Sequence, residues 1–203
     1  MYIDGGEYPA FYYTGKEETF MKLMFASDIH GCAPSCGTML RKFDEEKAEK
    51  LFLLGDILYH GPRNGVPDGY DPKEVIRMLN ERAASLLCVR GNCDTEVDQM
   101  VLSFPIMAEY ALLYLEGRTV FLTHGHRFNT EDPPKLKSGD ILLHGHTHIQ
   151  VIDESRDYIY INPGSVSLPK NGNVKSYMTY EDGIFTVKQL DSGSTQMEYR
   201  LSK

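Results

Sequence analysis

Side chains that can bind metal ions follow five short apolar runs in this sequence, at the point where each run ends. The runs cover residues 22–27, 51–54, 86–90, 120–123 and 141–143. In chain order, the motifs that follow them are Asp28-Ile29-His30, Gly55-Asp56, Gly91-Asn92-Cys93-Asp94, His124-Gly125-His126 and His144-Gly145-His146-Thr147-His148. Such a mixture of carboxylate, amide and imidazole ligands suits a pair of divalent transition metals.

The positions of these motifs predict that they meet in space. Apolar runs of this length closed by glycine are typical of buried strands, and ligands of open α/β sheets collect at the carboxyl ends of strands. Alternate residues of a strand point to the same side, so the spacing places Asp28 beside His30. Asp28-Ile29-His30 and Gly55-Asp56 are weak evidence alone, whereas the three alternate histidines of residues 144–148 are difficult to explain as core residues. Their joint occurrence indicates a metal centre.

The segments that follow each of the first three runs are predicted to be helices. Apolar residues recur on one face from Pro34 to Lys50. Asp71-Pro72-Lys73-Glu74 is a capping box with proline at the first helical position, and the helix is expected to continue through Ala84. Residues 95–104 form a third predicted helix, ended by Pro105. Alternating strands and helices predict a right-handed parallel βαβ arrangement for residues 22–90.

From about Met107 onward the pattern changes to hairpins. Glu116-Gly117 and Glu181-Asp182-Gly183 each separate two strand-like segments. Residues 158–161 alternate as a half-exposed strand does. A parallel first half and a hairpin-rich second half predict two sheets packed together with helices outside, in one domain over residues 21–203.

Composition narrows the class of protein. The chain has 203 residues with 41% hydrophobic and 25% charged residues, and its net charge of −8 argues against a stable complex with nucleic acid. No apolar stretch approaches the ~20 residues of a membrane span. The four cysteines lack the spacing of a zinc site, which predicts reduced thiols in a cytoplasmic protein.

Residues 1–20 differ from the rest of the chain. They contain Gly5-Gly6, four tyrosines and acidic residues without clear periodicity, and Met21 then opens the first strand. Lys16-Glu17-Glu18 can be encoded by a purine run similar to a bacterial ribosome-binding site. One hypothesis is that residues 1–20 are a translated leader and Met21 is the natural start. The alternative is a genuine N-terminal extension.

Taken together, the five motifs resemble the signature of the calcineurin-like metallophosphoesterases. The similarity extends from Met21 nearly to the C-terminus. In detail, the segments 60–64, 91–94 and 162–166 are most similar to the small bacterial YfcE-type phosphodiesterases. The resemblance implies a four-layer α/β/β/α sandwich, which agrees with the two sheets predicted above.

The resemblance also implies two metal sites. Asp28, His30, Asp56 and His148 would hold the first ion, and Asp56, Asn92, His124 and His146 would hold the second. The Asp56 carboxylate would bridge the ions, and a hydroxide between them would attack phosphorus. Asp56 and Asn92 would thereby take part in catalysis. Mn²⁺ is the expected metal, and Fe, Zn²⁺ and Ni²⁺ are alternatives.

One position departs from the family pattern. Many relatives carry histidine after Gly-Asn, where it helps to protonate the leaving group, whereas this chain has Cys93. Asp94, the usual partner of that histidine, is retained. Cys93 is interpreted as a small buried thiol, with a catalytic role as the alternative. His126 and His60 are candidate substitutes for the acid.

Two further residues have open roles. Arg63 either donates hydrogen bonds to a phosphate oxygen or is an ordinary surface arginine. His144 is expected to be structural or to orient a ligand rather than to bind the metal.

The resemblance favours a phosphodiesterase that acts on small phosphate esters. A phosphomonoesterase, a nucleotidase and a non-catalytic scaffold of the same fold are the alternatives. A scaffold would be expected to have lost metal ligands, and here all seven are present. No membrane partner is expected, and a homodimer or homotetramer is the expected assembly.

Overall fold

The computed structural model describes residues 21–201, so the hypotheses on residues 1–20 lie outside the described part of the chain. Its helices are Ala33–Glu46 (α1), Pro72–Asn80 (α2) and Glu96–Val101 (α3), with a short 3₁₀ turn over Ala83–Ser85. Its strands are Leu23–Ala26 (β1), Lys50–Leu53 (β2), Leu86–Cys88 (β3), Tyr110–Leu115 (β4), Arg118–Thr123 (β5), Ile141–His144 (β6), Gln150–Asp153 (β7), Ile159–Pro163 (β8), Ser176–Glu181 (β9), Ile184–Gln189 (β10) and Thr195–Arg200 (β11).

The strands form two mixed sheets, as predicted. The first sheet has the order β11-β10-β9-β1-β2-β3, and its strands β1, β2 and β3 run parallel. The second sheet has the order β4-β5-β6-β8-β7, in which β5, β6 and β8 run parallel. Both predicted hairpins are present, as the antiparallel pairs β4–β5 and β9–β10.

Three apolar clusters separate the layers. The largest lies between the helices and the first sheet and includes Met39, Phe43 and Leu79. A second cluster, with Phe25, Leu122 and Phe185, fills the space between the sheets. On the outer face of the second sheet, Phe128 and Leu136 pack against a small third cluster. Residues 125–140 contain no helix, so a loop takes the place of the fourth helical layer that the family resemblance implies.

All three predicted helices exist, but each is shorter than the sequence pattern indicates. Helix α1 ends at Glu46 instead of Lys50, because Lys47 adopts a left-handed backbone with φ of 55° and closes the last turn. Helix α2 begins at the predicted cap, where the Asp71 side chain accepts a hydrogen bond from the Glu74 backbone N–H. It stops at Asn80, four residues before Ala84. Helix α3 ends at Val101, so residues 102–104 lie outside it.

Strand β8 corrects another prediction. Residues 158–161 were expected to form a half-exposed strand, but the strand spans Ile159–Pro163 and all five of its residues are buried. It lies between β6 and β7 inside the second sheet, with apolar clusters on both faces. Alternate side chains of this strand therefore point into two different apolar clusters, and both faces of the strand are buried. Among residues 21–201, no helix has the length and apolar character that a membrane span requires.

Candidate metal centre

The seven predicted metal ligands meet at one edge of the sandwich, between the two sheets. The first sheet supplies Asp28 and His30 after β1, Asp56 after β2 and Asn92 after β3. The second sheet supplies His124 after β5 and the pair His146 and His148 after β6. All three oxygen ligands in the predicted set thus come from the first sheet, and three of its four imidazoles come from the second.

The seven predicted ligands fall into two groups, and a third set of His30, Asp56 and Cys93 also has its potential ligand atoms within 4.8 Å of one another. Asp28, His30 and His148 form the first, in which the Nε2 atoms of the two histidines are 3.2 Å apart and His148 Nε2 lies 3.2 Å from Asp28 Oδ1. Asp56, His124 and His146 form the second, in which His146 Nδ1 lies 3.1 Å from His124 Nε2. Asn92 joins the second group, with its Oδ1 atom 3.2 Å from His124 Nε2.

Asp56 lies between the two groups. Its Oδ2 atom is 3.7 Å from His30 Nε2 in the first group and 3.4 Å from His124 Nε2 in the second. Its other carboxylate oxygen, Oδ1, accepts a hydrogen bond of 2.8 Å from the Cys93 backbone N–H. One oxygen therefore fixes the side chain, and the other is available to both groups.

The hydrogen bonds of the histidines fit a metal centre. His30, His124 and His148 each donate through Nδ1 to a backbone carbonyl, those of Tyr59, Leu54 and Leu168, at 2.6–2.7 Å. When Nδ1 carries the proton of a neutral imidazole, Nε2 carries a lone pair that can bind a metal. These lone pairs face one another and the carboxylates, and buried Asp28 Oδ1 has no hydrogen-bond partner among the described residues. A bound cation would satisfy all of them.

The backbone at these ligands is unusual. Asp28, His30, Asp56, His146 and His148 all have positive φ angles, between 49° and 66°. Left-handed backbone is uncommon for residues other than glycine, although Asp, Asn and His tolerate it better than most. Such conformations persist where the surrounding structure fixes them and are frequent at functional sites.

Neighbouring segments supply that support. Asp94 accepts hydrogen bonds of 2.7–2.9 Å from the backbone N–H groups of Gly91, Asp56 and Ile57, which fixes the Asp56 turn. The hydroxyls of Ser165 and Ser167 both donate to the Asp28 carbonyl, at 2.9 and 2.8 Å. Asp94 therefore acts through the backbone, with little accepting capacity left for a histidine at position 93.

The pKa directions follow from burial and charge. Burial disfavours a charged His124, but its contact with Asp56 and the charges of Asp28 and Asp56 outweigh this and raise its pKa to about 9. Burial opposes ionisation of Asp28 too, but its close contacts with His148 and His30 hold its carboxyl pKa well below the usual range. Burial and the nearby His124 lower the pKa of His146 to about 4. The Asp28 and Asp56 carboxylates are therefore ionised, and His124 would have to lose its proton when a cation binds.

The remaining candidates occupy different surroundings. Cys93 is buried, its sulfur accepts a hydrogen bond of 3.2 Å from Asn92 Nδ2, and burial raises its thiol pKa. His144 stacks on Tyr160 with ring centroids 4.6 Å apart and is not one of the ligand groups. His60 packs between Tyr59 and Tyr70. The His126 ring lies 5.5 Å from that of His124.

A cleft of about 280 Å³ opens onto the centre. Asp56, Asn92, Cys93, His146 and His148 form part of its wall, together with Arg63 and Lys170. Neither the Arg63 guanidinium nor the Lys170 ammonium group forms an ion pair with a carboxylate of the described residues. Lys170 is not predictable from the sequence, because it lies 22 residues after His148 in an ordinary Lys170-Asn171-Gly172 turn and no local pattern connects it with the metal motifs.

Comparison with known proteins gives a consistent result. Residues 21–182 match the calcineurin-like phosphoesterase superfamily domain. The chain is 48% identical to phosphodiesterase YfcE of Escherichia coli over 174 residues, which cover 86% of this chain and 95% of that protein. A solved structure of the E. coli protein superposes with a TM-score of 0.87 at 46% identity, over 90% of this chain and all of that one.

A more distant structure shares the fold alone. Vps29 from Entamoeba histolytica, solved in complex with zinc, has a TM-score of 0.55 at 16% identity, over 90% of this chain and all of that chain. The family model and the E. coli relative together confirm the resemblance found in the five motifs and the expected class of two mixed sheets with helices. This chain belongs to the calcineurin-like phosphoesterase superfamily.

Proposed function

We propose that the protein is a metal-dependent phosphodiesterase that hydrolyses small phosphodiesters at this centre. The position of Asp56 carries the proposal, because its Oδ2 atom faces both ligand groups while its Oδ1 atom is fixed by the Cys93 N–H. The 48% identity to phosphodiesterase YfcE of Escherichia coli, over 95% of that protein, supports phosphodiesters as the substrate class.

The residues fit a pair of divalent ions. Asp28, His30, Asp56 and His148 would hold one, and Asp56, Asn92, His124 and His146 the other. When bound, such a pair supplies an activated water and Lewis acidity toward phosphoryl oxygens. Mixed oxygen and nitrogen ligands without a thiolate support Mn²⁺ as the native metal, with Fe, Zn²⁺ and Ni²⁺ as competitors.

The side chains of the chain itself bind and orient the ester. Arg63 and Lys170 stand at the cleft wall and offer donors to phosphoryl oxygens. Among the described residues, the imidazoles that line the cleft are those of His146 and His148, so a leaving group bound in the cleft meets neither His60 nor His126 as an acid. The enzyme should therefore prefer esters whose leaving groups need little protonation, such as aryl esters.

Further parts of the proposal concern the setting of the enzyme. All four cysteines are free, which supports a cytoplasmic location. Strand β4 is an edge strand with exposed apolar side chains at Tyr110, Leu112 and Tyr114, which supports a homodimer or homotetramer.

The complete ligand set argues against a scaffold. A phosphomonoesterase or nucleotidase is the second candidate, since one cleft can accept a single ester arm.

The experiment measures hydrolysis of bis(4-nitrophenyl) phosphate and 4-nitrophenyl phosphate before and after removal of metal by a chelator. We expect the stripped protein to lose activity on the diester and Mn²⁺ to restore it best. Metal analysis of the reloaded protein should give two ions per chain. Full activity in metal-free protein would refute the mechanism, and a preference for the monoester would favour the second candidate.

A further inference from the structure

A second cavity lies beside the cleft, on the other side of His146 and Thr147. Its volume is about 240 Å³, and both residues line it as well as the cleft. The two spaces therefore meet at a shared ridge, and one flank of that ridge is a residue of the second ligand group. Both spaces therefore border on the predicted ligand His146.

The second cavity is held open by its own hydrogen bonds. Asn129 Oδ1 accepts from the backbone N–H groups of Glu131 and Asp132 at 2.8 and 3.0 Å, and its Nδ2 donates to the Gly125 carbonyl at 3.2 Å. Gly125 has a φ of 110°, and a β-carbon there would collide with the His144 ring. The wall is therefore preformed, which lowers the entropic cost of binding a ligand there.

The lining of the second cavity is polar but differs in charge from that of the cleft. His126 Nδ1 and His144 Nε2 are buried without a hydrogen-bond partner among the described residues. Thr130 and Glu131 form part of the rim, and within residues 21–201 no lysine or arginine lines this cavity. The cleft, in contrast, carries Arg63 and Lys170. One side therefore suits an anionic group and the other a neutral polar group.

A phosphodiester has two ester arms, whereas a monoester has one. We propose that the second cavity binds one ester arm of the substrate while the cleft binds the other, so that the pair of spaces determines selectivity for diesters. This rests on the phosphodiesterase function proposed above. The favoured substrate is a small unsymmetrical diester, with a neutral polar arm toward Thr130 and an arm bearing additional negative charge toward Arg63 and Lys170.

The test fills the second cavity by substitutions that leave every predicted metal ligand unchanged. Thr130→Phe adds a ring at the rim, and Glu131→Trp serves as a second variant if the first does not fold. Glu154→Trp is the matched control, because Glu154 is exposed and lines neither space. Binding of two non-hydrolysable probes to the manganese-loaded proteins is measured by calorimetry: diphenylphosphinate, which has two arms, and phenylphosphonate, which has one.

We expect Thr130→Phe to weaken binding of diphenylphosphinate at least ~10-fold and that of phenylphosphonate less than ~2-fold, as steric overfilling of one arm site predicts. KM for bis(4-nitrophenyl) phosphate should rise in parallel, with kcat and metal content retained. Equal effects on both probes, or no effect on either, would overturn the inference while the parent still hydrolyses diesters. A parent that neither binds diphenylphosphinate nor hydrolyses a diester would overturn the proposed function as well.

Discussion

At the scale of single residues, the centre depends on groups that fix a side chain as much as on the ligands themselves. The Cys93 N–H holds one oxygen of Asp56, and Asp94 holds the backbone of the same turn. Three backbone carbonyls fix the tautomers of His30, His124 and His148. The ligands are therefore oriented before any ion arrives, which reduces the reorganisation that binding requires.

Asp56→Asn should reduce kcat/KM for an aryl diester by at least ~10³-fold, the scale for loss of a preorganised electrostatic group. The amide can still accept from the Cys93 N–H, but it replaces the charged oxygen that faces both groups by an uncharged donor. His148→Ala should cost less, because His148 belongs to one group only. Asp191→Asn, at an exposed turn, is the control. Near-normal turnover of Asp56→Asn would show that the site is wrongly assigned.

Cys93→Ala should change kcat/KM on an aryl diester by less than ~10-fold, well below the loss expected when a general acid is removed. The reason is that burial and the nearby Asp56 carboxylate raise the thiol pKa, so that the thiol is a poor proton donor. Cys93→His should gain little on alkyl esters, because Asp94 is already engaged by three backbone amides. The measurement is kcat/KM against leaving-group pKa. A large loss in Cys93→Ala would instead identify the thiol as catalytic.

At the scale of elements, helix α1 is tied to the first sheet by a polar network at its C-terminal end. Glu46 accepts hydrogen bonds from Lys188 Nζ at 2.7 Å and from the Tyr177 hydroxyl at 2.8 Å, and it pairs with Lys22 Nζ at 2.7 Å. Burial opposes ionisation of Glu46, but these contacts outweigh it and lower its pKa from 4.5 to about 2. The end of the helix is therefore held by two lysine charges, from Lys22 before β1 and Lys188 in β10, and by the Tyr177 hydroxyl of β9.

Glu46→Gln should lower the free energy of unfolding at pH 7 by about 1–2 kcal/mol, a value that allows for solvent screening at this partly exposed group. Because the pKa is depressed in the folded state, this stabilisation is present above pH 4.5 and disappears as the pH falls toward 2. Urea denaturation of both proteins across that range measures it. Glu45→Gln, next in sequence but exposed, should have an effect below ~0.5 kcal/mol. A difference that persists at pH 2 would contradict the assignment.

Local patterns predicted the elements that carry the site, and distant contacts set the rest. The five strand-end motifs and both hairpins are short-range signals, and the structure contains them. The early end of α1 depends on the left-handed backbone of Lys47, which has no mark in a hydrophobic pattern. Ser165 and Ser167 support Asp28 across 137 and 139 residues, and Lys170 reaches the cleft from a plain turn. No periodicity encodes such pairings, and the single-domain boundary over 21–203 stays a prediction.

At the scale of the whole molecule, the ligand set spans the two sheets. Residues after β1, β2 and β3 lie opposite residues after β5 and β6, and the apolar cluster with Phe25 and Leu122 lies between the sheets. Ions bound at this edge would join the sheets directly. Binding energy would then also be folding energy.

Loading with Mn²⁺ should therefore raise the Tm of the chelator-stripped protein. An ion at 100 times its Kd adds about 2.7 kcal/mol if it binds only the folded state. The His148→Ala variant, which lacks one ligand of the first group, should show a smaller shift. Differential scanning calorimetry at fixed protein concentration measures both. Identical Tm values with and without metal in the parent would argue against a centre that links the sheets.

The left-handed backbone at Asp28, His30, Asp56, His146 and His148 has a consequence for laboratory evolution. Each position is constrained twice, by the side chain that the proposed metal site would need and by a backbone that glycine or asparagine would adopt at lower cost. A library selected for thermal stability in the presence of a chelator, with no demand for turnover, should therefore accumulate Gly and Asn at these positions. Selection for activity should remove the same substitutions, so the two regimes would separate the cost of the backbone from the value of the ligands.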